Sequence, residues 1–239
     1  MKEKMTMDFA RRHVVVIGGT GTLGTAIVGA LLEAGAICHV PYRKESEAQR
    51  FPHRQNQNVM LYSGIELADE TAVAGLFDKV PALWASIHAA GGFAAGPVAK
   101  TGKSELMAQI DGNLVSCFLC CRAAVNALAR GPSGGRIVNV AARPALEWRA
   151  GAGMAAYGAA KASVAALTVA LAEEVVKDGI LVNAVAPSII DTPANRKAMP
   201  KADHAAWPKV EEIAATILFL ASPDNKVTRG AVVPVYGRS

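Results

Sequence analysis

The chain is poor in aromatic residues, at 5% of its 239 positions, and in charged residues, at 19%. With 51% hydrophobic residues and 22 glycines that recur near the ends of apolar runs, this composition excludes a disordered or disulfide-stapled chain and fits an α/β protein. Cysteines number only four. Cys38 falls in an expected strand, and Cys117, Cys120 and Cys121 crowd one helix-like apolar run, where Cys117 and Cys121 share a face with no histidine within a few residues of them. That spacing gives small buried hydrophobes rather than a metal site or a disulfide. The net charge of +5 comes without any basic block, which excludes a nucleic-acid-binding arm and leaves anionic small molecules as expected partners.

Residues 1–12 are polar and basic but lead into a short run, 14–17, with no apolar h-region or cleavage site of a signal peptide. No later segment approaches the ~20 uninterrupted apolar residues of a membrane span. The expectation is a cytoplasmic protein without membrane partners. Its residues 1–12 form a flexible extension, and with no linker, repeat or low-complexity block the chain 1–239 is one domain.

What the sequence does contain is an alternation of strand-like and helix-like segments. A β-branched run at 13–17 meets the loop Gly18-Gly19-Thr20-Gly21-Thr22-Leu23-Gly24, followed by helical periodicity over 25–34. Strands are expected at 37–40, 59–62, 85–88, 135–141, 180–186 and 230–236, and helices at 69–80, 104–130, 153–177 and 210–221. Residues 188–208 read as a proline-punctuated loop with short helical turns. Strands alternating with helices imply a parallel sheet covered on both faces, with ligands outside the carboxyl ends of its strands.

Three features concentrate at those ends. The glycine loop opens a helix after a buried strand, which presents free backbone N–H groups and a positive dipole end to a pyrophosphate. Beyond the second strand no acid is present to accept a ribose 2′-hydroxyl, whereas Arg43 and Lys44 can meet a 2′-phosphate, so NADP(H) is favoured and NAD(H) remains possible. Tyr157 and Lys161 stand one turn apart on one helix face, where the ammonium is expected to lower the phenol pKa and make an acid/base pair.

Taken together, the glycine loop, His88-Ala89-Ala90-Gly91, Gly112-Asn113-Leu114, Ile137-Val138-Asn139, Tyr157 with Lys161, and Val182-Asn183-Ala184-Val185-Ala186-Pro187 resemble the short-chain dehydrogenase/reductase family over nearly the whole chain. The resemblance implies a single-domain Rossmann fold, with a doubly wound, mostly parallel seven-stranded sheet, and an oxidoreductase of a small carbonyl or imine compound. By the same resemblance Tyr157 exchanges a proton with the substrate, Lys161 binds the nicotinamide ribose, and Asn113 supports a water near Lys161. The implied cofactor site comprises Gly18, Thr20, Gly21, Thr22, Leu23, Gly24, Arg43, Lys44, Glu66, Leu67, Ala89, Ala90, Gly91, Pro187, Ile190 and Thr192, with Thr192 at the carboxamide. Residues 188–208 form a substrate lid, no metal is implied, and the helices from Ser104 and Gly153 pair in a homodimer or homotetramer.

The chain departs from the family pattern at Thr22, in place of a glycine, and at Ser188, where Pro-Gly is usual. A larger departure is the catalytic serine, whose place Ala141 and Ala142 occupy, with no Ser or Thr anywhere from Arg136 to Ala156. Arg143 is a candidate replacement donor. The segment from Asp191 to Trp207 is also similar to the corresponding loop of quinonoid dihydropteridine reductases, which lack that serine. A pteridine-type reductase is therefore one alternative, and a dinucleotide-binding sensor with decayed catalysis is another. His88 is expected to pack at a strand end and His204 on the loop surface, with Trp148 and Trp207 in the pocket wall or in lid packing.

Overall fold

Branched apolar side chains saturate the central strands because both sheet faces are covered: Val14, Val15 and Val16 are fully buried and Ile17 is 1% exposed. The computed structural model describes residues 7–131 and 134–239. In chain order its elements are β1 (His13–Ile17), α1 (Thr22–Glu33), β2 (Ile37–Pro41), α2 (Glu45–Arg50), β3 (Val59–Tyr62), α3 (Glu70–Phe77) and β4 (Leu83–His88). They continue with α4 (Lys103–Gln109), α5 (Ser116–Ala129), β5 (Gly135–Val140), α6 (Ala155–Glu174), β6 (Ile180–Pro187), α7 (Pro193–Ala198), α8 (Val210–Ala221) and β7 (Val232–Val235). All seven strands run parallel in the order β3-β2-β1-β4-β5-β6-β7, one sheet in a single domain. The order reverses between β1 and β4, and the diverging connections leave a crevice at their carboxyl ends.

On one face α1 and α8 pack Ile27, Leu31, Ile213 and Ile217 onto the sheet. On the other, α3, α5 and α6 contribute Leu76, Phe77, Cys120, Ala124, Leu128 and Val164. Burying each large aliphatic or aromatic side chain contributes about 1.5–3 kcal/mol.

Several expected boundaries shift. The first helix starts at Thr22 within the glycine loop, and α2 follows β2 where no helix was expected. The long helix expected over 104–130 is three pieces, because a π-helical segment, Ile110–Val115, separates α4 from α5 and holds Asn113. Part of the expected N-terminal extension is docked: Phe9 is fully buried, its N–H donates to the Ala34 carbonyl at 3.0 Å, and the Arg12 guanidinium lies 3.9 Å above the Trp84 ring. Residues 1–6 of that extension lie outside the described residues. The run Lys103–Ala129 and α6 are each long and apolar enough to cross a membrane by length and composition, a test that helices packed into a protein core also pass. Both turn apolar faces to the sheet, with Cys120, Ala124, Val164 and Ala172 buried.

A polar chain crosses the apolar strands β1, β2 and β3. His13 Nδ1 and His39 Nε2 are 2.8 Å apart, and His39 Nδ1 lies 2.7 Å from the Tyr62 hydroxyl. Burial, helped by the nearby His13, lowers the His39 pKa from 6.5 to about 4. The folded state thus keeps this ring neutral while the unfolded chain protonates it below pH 6.5, so stability falls as pH drops from 6.5 towards 4. The expected loss is about 3 kcal/mol by pH 4. Denaturant titrations across this range check it: His39→Phe flattens the slope, and an unchanged slope would contradict the assignment.

Candidate active site

The glycine loop is shaped by two close approaches. Gly18 has φ +78°, and a Cβ there would lie 2.6 Å from the Ala90 nitrogen, so the loop and the turn after β4 meet backbone to backbone. The Ala89 N–H donates to the Ile17 carbonyl at 2.9 Å and ties the two strand exits together. A Cβ on Gly24 would lie 2.0 Å from the Gly18 carbonyl oxygen, which fixes how tightly α1 seats against its own loop. Gly21 caps α1 without any side-chain hydrogen bond. Its first-turn N–H groups are therefore open to an anion.

Arg43 and Lys44 are exposed just past β2. Arg43 faces Glu66 at 3.4 Å, with both side chains more than half exposed, and solvent makes such a pair weak. Leu67 is half-buried against the core under α3 and α5. These residues border the carboxyl ends of β2 and β3.

Asn113, Lys161 and Gly91 come together on the other side of β4. Asn113 is 1% exposed, and its Nδ2 donates to the carbonyls of Gly92 (3.1 Å) and Gln109 (3.0 Å). Its Oδ1 is buried with no partner among the described residues. An unpaired buried acceptor costs about 1–3 kcal/mol, and this one points where a Gly91 Cβ would lie, 2.6 Å away, with the Lys161 Nζ 3.2 Å from the same point. The space above Gly91 thus has an unused acceptor on one side and an ammonium on the other. The π turn makes this aim possible, since it rotates Asn113 out of the register that a continuous helix would impose.

Tyr157 is half-buried one turn before Lys161 on α6, its ring edge-on to Phe93 with centroids 5.0 Å apart. Here the expected electrostatics are corrected: burial pushes the phenol up to about 12, and Lys161, 5% exposed, is itself lowered to about 8 by burial. The Lys161 Nζ donates to the Val140 carbonyl at 2.8 Å, so its charge is spent on the end of β5 and desolvation dominates at the phenol. The phenol keeps its proton at neutral pH.

Ala141 and Ala142 are both buried at the exit of β5, where the sequence lacks a hydroxyl. Arg143 is committed to Glu147 at 2.7 Å and lies 5.0 Å over the Tyr236 ring. Past Pro187, residues 188–208 contain α7 and a single helical turn at His204–Ala206, short helical turns of the kind expected there. The Thr192 hydroxyl oxygen caps α7 by accepting the Asn195 N–H at 3.1 Å, and Asn195 Nδ2 returns to the Ile190 carbonyl at 2.8 Å. Asp191 receives Arg196 through two bonds of 2.6 and 2.8 Å, which hold its carboxyl below the usual carboxylate range. His204 is half-buried rather than on the surface, 2.8 Å from the Met199 carbonyl and 4.6 Å between centroids from Trp207, which is 6% exposed. Trp148, 80% exposed, lines an open groove beside the start of α6.

Two features escaped the sequence. Phe93 packs on Tyr157 from a loop without periodicity. His88 is buried at its strand end as expected, but there it meets Cys117 and Cys121, a proximity that sequence spacing hides because β4 and α5 are neighbours only in the fold.

Comparison with known proteins agrees with this architecture. The model of the short chain dehydrogenase family matches residues 12–203. A hydroxy(phenyl)methylsuccinyl-CoA dehydrogenase subunit, BbsD, of Thauera aromatica is 33% identical, with 97% of each chain covered. Cis-4-hydroxycyclohexanecarboxylate dehydrogenase of Sinomonas cyclohexanicum is also 33% identical, with 96% of each covered. Among solved structures, a blue fluorescent protein from a metagenomic library in complex with NADPH is similar at 27% identity and a TM-score of 0.86, covering 96% of this chain and 98% of that one. With the strand order, the glycine loop and these full-length matches in agreement, the chain belongs to the short-chain dehydrogenase/reductase family of oxidoreductases.

Proposed function

We propose that the protein is an NADP(H)-dependent reductase of a small carbonyl compound, with Tyr157 as proton donor. The observation that carries this reading is the convergence of Tyr157, Lys161 and the unpaired Asn113 Oδ1 beside the turn against which the glycine loop packs. The residues present fit a dinucleotide. The uncapped start of α1, with Thr20, Thr22 and Leu23, receives the pyrophosphate, Arg43 and Lys44 receive the 2′-phosphate, and Glu66 and Leu67 border the adenine. Ala89, Ala90, Gly91, Pro187, Ile190 and Thr192 line the nicotinamide half.

The bound cofactor supplies the hydride. Tyr157 donates its proton to the substrate oxygen, and burial keeps that proton in place until transfer. Lys161, which now donates to the Val140 carbonyl, would hold the nicotinamide ribose. Asn113 holds a water over Gly91 through which the phenol is reprotonated. Residues 188–208 close over the substrate, clasped by Asp191 and Arg196. The absent hydroxyl at Ala141 and Ala142 favours substrates that develop little oxyanion charge, which keeps quinonoid dihydropterin reduction as a second reading.

NADPH is expected to bind more tightly than NADH, and Arg43→Ala to weaken NADPH by about 10- to 100-fold, the worth of one charge-assisted contact, while leaving NADH unchanged. Fluorescence titration with both nucleotides tests this, and equal wild-type affinities would refute it. Leu106 and Met107 on α4, Phe118 on α5 and Val169 on α6 are 38–50% exposed, apolar surface that a homodimer or homotetramer through these helices would cover. Sedimentation as a monomer at micromolar protein would rule that assembly out.

A further inference from the structure

Behind the crevice wall lies a cluster that the redox reading does not use. His88 Nδ1 is 3.5 Å from Cys121 Sγ and 4.0 Å from Cys117 Sγ, and the three ligand atoms lie within 4.8 Å of one another. All three residues are buried, His88 at 3% and the cysteines at 7% and 2% exposed. In a tetrahedral zinc site with bonds of about 2.3 Å to sulfur and 2.0–2.1 Å to nitrogen, the N···S edge is about 3.6 Å. The His88–Cys121 edge is at that spacing before any metal enters, and the His88–Cys117 edge, at 4.0 Å, is about 0.4 Å longer. Asn139 Oδ1 borders the cluster and accepts hydrogen bonds from His88 Nδ1–H at 2.8 Å and from the Cys121 thiol at 3.5 Å.

We propose that His88, Cys117 and Cys121 form a buried site for a soft divalent cation of the zinc or cadmium type, with the Asn139 side-chain oxygen beside it. Binding exchanges two thiol protons for the cation and shifts the imidazole proton from Nδ1, where it is given to Asn139 Oδ1, to Nε2: the two thiol protons leave to solvent, and two thiolates with a neutral imidazole cancel the 2+ charge, so no net charge is buried. The outer contacts suit that state. His88 Nε2 lies 2.8 Å from Ser86 Oγ, so with Nδ1 on the metal the other ring N–H has its acceptor, the arrangement that orients metal-bound histidines. Asn139 Nδ2 donates to Thr168 Oγ1 at 2.9 Å, which turns the amide oxygen towards the cluster. Cys120 is fully buried one residue away on α5 and stands outside the cluster, which makes it an internal control.

The test uses the full chain, reduced and stripped with a chelator, titrated with Cd2+ alone and then with Zn2+ as competitor. The expected result is one Cd2+ per chain, an ultraviolet thiolate-to-cadmium charge-transfer band, and displacement by Zn2+. Cys117→Ala and Cys121→Ala each weaken uptake by at least ~100-fold, beyond the effect of losing an outer partner, while Cys120→Ala leaves it unchanged. Absence of the band in the wild type overturns the proposal without recourse to any variant. So does a band lost in Cys120→Ala but kept when Cys117 and Cys121 are both alanine.

Discussion

Tyr157→Phe is expected to lower kcat for carbonyl reduction by about 10²–10⁴-fold, the range for removing a positioned proton donor, with NADPH affinity and folding stability unchanged. The fold should tolerate the change, since the Tyr157 hydroxyl makes no hydrogen bond to a protein group among the described residues and Phe keeps the edge-on contact with Phe93. The chemistry should not tolerate it, because no Ser or Thr lies anywhere from Arg136 to Ala156 and Arg143 is held by Glu147. Steady-state NADPH oxidation with quinones, diketones and quinonoid dihydropterin measures the loss. Wild-type protein that binds NADPH tightly yet turns over none of these would sink the enzymatic reading and leave a dinucleotide sensor.

How far this site could be read from the chain depended on the range of the interactions involved. The glycine loop, the strand order class and the Tyr157–Lys161 pair are local patterns with fixed spacing, and each lies where the spacing puts it. What the sequence concealed came from contacts between distant segments. A helical period over 104–130 is continuous in sequence, yet a π turn at Ile110–Val115 re-aims Asn113 towards Gly91 and Gly92. The Tyr157 pKa was expected to fall because a neighbouring ammonium is visible in the sequence, whereas the burial that raises it is not. His88 and Cys121 are 33 residues apart in the chain and 3.5 Å apart in space. Spacing within one helix could only describe the thiols.

Gly24→Ala is expected to abolish measurable cofactor binding at concentrations that saturate the wild type, although alanine is the better helix former. The added methyl would meet the Gly18 oxygen at 2.0 Å, the Gly18 carbonyl carbon at 2.7 Å and the Gly19 Cα at 2.7 Å, all backbone atoms that cannot rotate away. Either α1 withdraws or the loop opens, and Gly18 in turn sits against Ala90, so the displacement reaches the turn that borders Asn113 and Lys161. Overpacking of this kind costs about 1–3 kcal/mol in stability, which a domain of ordinary stability survives, but a shift near 1 Å at a positioning element costs about 10²-fold in function. Gly75→Ala in α3 is the matched control: nothing lies within 4 Å of its added methyl, and a gain of about 1 kcal/mol is expected from helix propensity alone. Thermal denaturation and NADPH titration of the two variants separate the effects. If Gly24→Ala binds NADPH like wild type, the close seating of α1 on the loop is a packing detail, and the pyrophosphate must be held elsewhere.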